Sequence, residues 1–137
     1  MDDFRQMISL DDLTSDGTIT LARAAAEAIR GLNHATRDHA GLGQPSAAYD
    51  VLGALSQAAS GLPQLTAQIT RYLDHALTGG QLGHDRGEDP ALPVRGAVIF
   101  LHDARRSARA LAGDLNAAWQ QLAPVNGRGH RTPQDQP

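Results

Sequence analysis

Apolar residues recur at alternating steps of three and four along most of this chain. Between about Thr18 and Thr36 they fall at Leu21, Ala25, Ala28, Leu32 and Ala35. After Pro45-Ser46, a helix-start signal, a second series passes through Ala48, Leu52, Leu55, Ala59, Leu62, Thr66, Ile69, Leu73 and Ala76, and Gly79-Gly80 ends it. A third takes in Val94, Ala97, Leu101, Ala104, Ala108, Leu111, Leu115, Ala118 and Leu122, and stops before Pro124. Such steps average about 3.5 residues, the spacing of helices packed at shallow angles. The pattern predicts helices over about 18–36, 46–78 and 91–123.

Val51, Ala58, Leu65 and Tyr72 widen the second apolar face, and Val98, Ala112 and Trp119 widen the third. Faces this broad suit a bundle core rather than a two-stranded coil. The expected fold is therefore all-α, an up-down three-helix bundle with two long helices and a shorter first one, in a single domain over residues 1–123. A short N-terminal helix could be built from Phe4, Met7, Ile8, Leu10 and Leu13, although Asp11-Asp12 and Asp16-Gly17 interrupt it. Pro63 should kink the second helix. The polar, Gly-rich stretch 79–92 reads as a loop, and residues 124–137, which lack apolar content, read as a disordered tail.

Helix lengths bear on what the bundle leaves open. At 1.5 Å per residue the second and third helices are each about 45–50 Å long, and the first only about 28 Å. Folding back at 38–45, the first helix runs out near Gly61–Pro63. The half formed by 64–77 and 92–105 then lacks a third partner, and Ile99 and Phe100 lie within it, beside the stretch carrying Leu65 and Tyr72. Either the N-terminal segment or a second copy of the chain is expected to cover these four residues, which points to a homodimer.

Composition narrows the chemistry. There is no cysteine, so disulfides and thiolate metal sites are excluded. Met1-Asp2-Asp3 opens acidic with no apolar stretch behind it, and no apolar run approaches the ~20 residues needed to cross a bilayer. A cytoplasmic protein without membrane contact is expected. All twelve basic residues are arginine, yet the net charge is −3, which argues against a surface that attracts nucleic acid everywhere.

The run AVIFLHDARR, residues 97–106, sets His102 beside Asp103, but the heptad places both on the outer face of the third helix, with Arg105 at the margin of the apolar strip. A solvated helix surface is expected there rather than a catalytic pair. The expected up-down fold sets His34 of the first helix near residue 48, about 27 residues or ~40 Å along the second helix from His75, and no His-Glu-x-x-His or Glu-x-x-His spacing occurs, so no metal or other cofactor is expected. His84 and His130 fall in loop and tail, where solvent surrounds them. Catalytic motifs are missing, and a non-enzymatic protein is the expectation. Arg23, Arg30 and Arg37 recur at heptad spacing on one face of the first helix, where they could follow phosphates or an acidic partner. Nucleic-acid binding through that stripe is the alternative to self-association, although no helix-turn-helix is present.

The pieces TITLARAAAEAIRGLNHAT and PSAAYDVLGALSQAASGLPQLTAQITRYL, followed by a long Ala/Arg helix, resemble a group of small helical proteins of actinobacterial plasmids and integrating conjugative elements. The resemblance spans about 18–122 and carries no catalytic motif. It implies an accessory protein of a mobile genetic element, without activity and with no functional residues to transfer. The Trp-x-Gly turn of small secreted helical hairpins is not matched, since Trp119 is followed by Gln120-Gln121.

Overall fold

The computed structural model describes residues 14–127. Among these the fold is all-α, with four helices and no strand: α1 (Ser15–Ala35), α2 (His39–Leu42), α3 (Pro45–Thr78) and α4 (Ala91–Leu122). The N-terminal segment carrying Phe4, Met7, Ile8, Leu10 and Leu13 lies outside the described residues, as do His130 and the last ten positions of the expected tail. The chain divides between Gly43 and Gln44 into two compact units.

In the first unit, α1 begins three residues ahead of Thr18. The Thr14 side chain accepts a hydrogen bond from the Gly17 amide at 3.2 Å and so caps the helix. Asp16-Gly17, read above as an interruption, thus occupies the first turn, where a carboxylate complements the helix dipole. The helix closes at Ala35, with the Thr36 amide donating to the Leu32 carbonyl at 2.9 Å. Gly17, Leu21, Ala24 and Leu32 are half-buried and no residue of α1 is buried. The single turn α2 was invisible to a periodicity argument because it is shorter than one repeat. It depends on Gly41, where a Cβ would run into the Ala35 carbonyl oxygen, and ends at Gly43 in the left-handed region, φ 70°.

The second unit is a hairpin of α3 and α4, about 51 and 48 Å long from their 34 and 32 residues. α3 runs without a break through Pro63, which has no N–H to offer the Ala59 carbonyl. Its end is a Schellman arrangement: the Gly80 amide reaches the Leu77 carbonyl at 3.2 Å and the Gln81 amide reaches Ala76 at 3.0 Å. Gly80 takes φ 68°, which is why a glycine stands there. The connection to α4 makes its own hydrogen bonds. His84 Nδ1 accepts from the Arg86 amide at 3.1 Å, and the opposite ring nitrogen faces the Glu88 carboxylate at 3.7 Å. His84 is therefore half-buried rather than solvated as expected. Asp89 Oδ1 accepts from the Ala91 amide at 3.0 Å and helps start α4.

Packing settles which apolar rows meet. On α4 the inward positions are Val94, Val98, Leu101, Arg105, Ala108, Ala112, Leu115, Trp119 and Leu122, again in steps of three and four. One expected row, Val94 through Leu122, is correct. The other, Ala97, Ala104, Leu111 and Ala118, is exposed, and Val98, Arg105, Ala112 and Trp119 take its place. On α3 the inward positions include Leu52, Ser56, Ala59, Pro63, Thr66, Thr70, Leu73 and Ala76, whereas Leu62 and Ile69 turn outward. The side chains buried between the helices are small: Ala59, Ala76 and Ala108, with Ser56 and Thr70. Small residues let two helices approach closely, and the larger side chains are displaced to the flanks. Near the open end Trp119 lies against Gly53, where an added Cβ would come within 2.9 Å of the indole nitrogen, and Tyr49 stacks on the indole at 5.2 Å.

Candidate interaction surfaces

The hairpin has two flanks, and a groove between its helices tells them apart. Ala67, Thr70 and Arg71 of α3 line this groove together with Leu101, His102 and Arg105 of α4. The rows beside Thr70 on α3 and beside Arg105 on α4 therefore share one flank. By helical rotation the rows on the far side of each seam share the other.

That other flank is apolar. On α3 it presents Leu62, Leu65, Ile69 and Tyr72, at steps of three and four. On α4 it presents Ala97, Phe100, Ala104, Leu111 and Ala118. Tyr72 is 65% exposed, Phe100 74% and Leu65 49%, values far from those of core residues. From residue 62 to 76 on α3 and from 97 to 111 on α4, these rows hold no charged side chain. Exposed apolar rows without charge have the composition of surfaces whose burial is favourable.

Three of the four expected interface residues, Leu65, Tyr72 and Phe100, thus share a flank. Ile99 does not. It is 62% exposed, but it stands about 100° around α4 from Phe100, beyond the row carrying His102. Sequence reasoning grouped the two as one apolar remainder because they are neighbours in the chain. It also missed Leu62, Ile69 and Leu111 as flank residues, having assigned them to the core.

The grooved flank is polar. Besides Arg71, His102 and Arg105 it carries Gln64, Asp74, Arg95 and Arg109 on adjoining rows. His102 and Asp103 do not act as a couple: the Asp103 carboxylate pairs with Arg106, one turn on. Arg105, expected at the margin, occupies a full seam position.

On the first unit Arg23, Arg30 and Arg37 are all exposed. Arg30 is paired with Glu27 at 3.1 Å, both side chains being well solvated. Arg37 follows the end of α1, so the stripe has two helical members rather than three. Arg30 and Arg37 border a shallow, open concavity of about 470 Å³ with Glu27, Gly31, Asn33 and His34, and Arg23 is not part of it. Among the described residues no group of three His, Asp or Glu side chains is placed to hold a metal ion. None of the described helices is long and apolar enough to cross a membrane.

Comparison with family models, with curated proteins and with solved structures finds no match for this chain.

Proposed function

We propose that this protein is a non-enzymatic helical interaction module that self-associates as a homodimer through the apolar flank of its hairpin. The observation that carries this reading is the set Leu65, Ile69, Tyr72 and Phe100, large, uncharged and exposed on one side of a hairpin whose own seam buries only small side chains. Burying an apolar side chain of this size contributes about 1.5–3 kcal/mol, so the seam forgoes most of the stabilisation its helices could supply. A further apolar layer restores it.

A second copy fits that layer for two reasons. The flank has no charge to desolvate between residues 62 and 76 or 97 and 111, so like surfaces meet without electrostatic cost. It also pairs a ridge of large side chains on α3 with a trough of alanines, Ala97 and Ala104, on α4. A two-fold axis sets the ridge of each copy into the trough of the other.

In this reading α1 completes an up-down three-helix bundle. At 21 residues, about 32 Å, α1 is little more than half as long as α3. An accessory role in a mobile genetic element is what the resemblance of residues 18–122 implies. Solution mass between low and high micromolar concentration tests the dimer. The expected result is twice the chain mass, falling to the single mass in Tyr72→Asp and Phe100→Asp. A wild type that stays monomeric throughout removes the proposal.

The concavity shared by Arg30 and Arg37 supports the alternative, a nucleic-acid-binding accessory whose contacts also include Arg23. Electrostatic binding is strongest at low salt, so absence of a gel shift there dismisses it.

A further inference from the structure

The chain has three asparagines, and helices hold two of them: Asn33 in the last turn of α1 and Asn116 in α4. In a helix the amide that follows an asparagine is bonded to a carbonyl one turn back. The helical ψ, about −42°, also keeps that nitrogen away from the asparagine's own side-chain carbonyl. Asn126 is placed differently. It is exposed beyond the end of α4, whose last turn closes with the Val125 amide donating to the Leu122 carbonyl at 3.0 Å. The next residue is Gly127, whose amide donates to no described residue. Glycine also has no Cβ to hinder approach to its nitrogen, and its backbone is the least restricted. Exposure alone does not separate these sites, since Asn33 is exposed too. A glycine alone does not either. In Asp16-Gly17 the Gly17 amide is held by the Thr14 side chain at 3.2 Å within the first turn of α1.

We infer that Asn126 is a site of spontaneous covalent modification, deamidation through a cyclic imide with Gly127. The Gly127 backbone nitrogen attacks Cγ of Asn126, forming an N–Cγ bond. The Cγ–Nδ2 bond breaks, and the Gly127 amide proton leaves with that nitrogen as ammonia. Water then opens the five-membered ring at one of its two carbonyls. Opening at the side-chain carbonyl gives aspartate, and opening at the main-chain carbonyl gives isoaspartate. The sum consumes one water and releases one ammonia, with no oxidant, reductant or enzyme. Either product makes the chain one unit more negative than its present −3. In the isoaspartate product the main chain runs through Cβ and Cγ and is one carbon longer. That extra carbon enters directly before Gly127, which stands against Pro45 in the first turn of α3. The site lies apart from Leu65, Ile69, Tyr72 and Phe100, so it does not depend on the proposed dimer.

Freshly purified full chain is aged at neutral and mildly alkaline pH, both folded and unfolded in urea. Isoelectric focusing and tandem mass spectrometry then follow it. Trypsin releases Ala110–Arg128 as one peptide, so Asn116 serves as an internal control for Asn126. In the folded chain an acidic band should grow in, faster at the higher pH, with one mass unit gained at Asn126 and both aspartate and isoaspartate present. Asn33 and Asn116 should keep their amides until urea unfolds their helices. The variant Gly127→Ala should slow the reaction at least about tenfold. The fold accepts that alanine, because its Cβ would meet Pro45 Cδ at 3.6 Å, an ordinary contact. Three results overturn the assignment: an Asn126 rate in the folded chain more than about tenfold below that in urea, equal folded-state rates at all three asparagines, or no slowing in Gly127→Ala.

Discussion

The two flanks of the α3–α4 hairpin are drawn from the same two helices, yet they solve opposite problems. One side carries Leu62, Leu65, Ile69, Tyr72, Phe100 and Leu111, apolar groups left in contact with water. The other carries Arg71, Arg95, His102, Arg105 and Arg109, of which Arg105 is drawn partly into the seam with a donor unsatisfied. The first has too much oil for a surface, and the second has too much charge for an interior. Between them runs a seam of alanine, serine and threonine. The difference shows that this hairpin is not a finished core. Its seam of short side chains sets the distance between the helices, and its flanks hold the large apolar side chains and the unpartnered guanidinium nitrogen that this seam does not accommodate.

The contrast is most sharply broken by charging the apolar side. Tyr72→Asp combined with Phe100→Asp should raise the dimer dissociation constant by more than about 100-fold, roughly 3 kcal/mol, measured by sedimentation equilibrium. A smaller effect is expected at the seam's open end, where Trp119 is clasped by Tyr49 and Gly53. Trp119→Ala should lower stability to urea by about 2–3 kcal/mol, below the full cost of a buried indole because Trp119 is only half-buried. On the grooved side the sign should reverse. Arg105→Leu exchanges an unpartnered guanidinium for an apolar seam residue and should stabilise the chain by about 1 kcal/mol in chloride buffer. Gln64→Asp and Arg109→Gln, exposed on the polar flank, sharpen the comparison by doing little: stability within about 0.5 kcal/mol of wild type and unaltered mass. A fall in dimer mass from Gln64→Asp would mean that the flanks have been assigned the wrong way round.

Much of the architecture was legible before packing was known. The helix starts and stops followed local chemistry: Pro45 in the first turn of α3, Gly80 at its left-handed end, and the break before Pro124. The start of α1 was misjudged because Asp16-Gly17 looks like a turn until Thr14 is recognised as the cap. Of the candidate site residues, Leu65, Tyr72 and Phe100 were found from the excess width of apolar faces. Ile99 was grouped with them by adjacency alone. The groove was missed because Arg71 lies about thirty residues before His102 and Arg105 in the chain and was given no role, while His102 was read as an outer-face position and Arg105 as a marginal one.

The chain by itself determined that it forms long helices and where they end, because capping, glycine stops and the 3.5-residue period act over one or two turns. It did not determine the phase of those helices. Both α3 and α4 carry three adjacent apolar or small rows, and a period is blind to which of them faces inward. Close approach decided that, selecting Ser56, Ala59, Thr70 and Ala108 for the seam and turning Leu62, Ile69 and Leu111 outward. Two helices can come near each other only where side chains are short, and that condition belongs to the pair rather than to either helix.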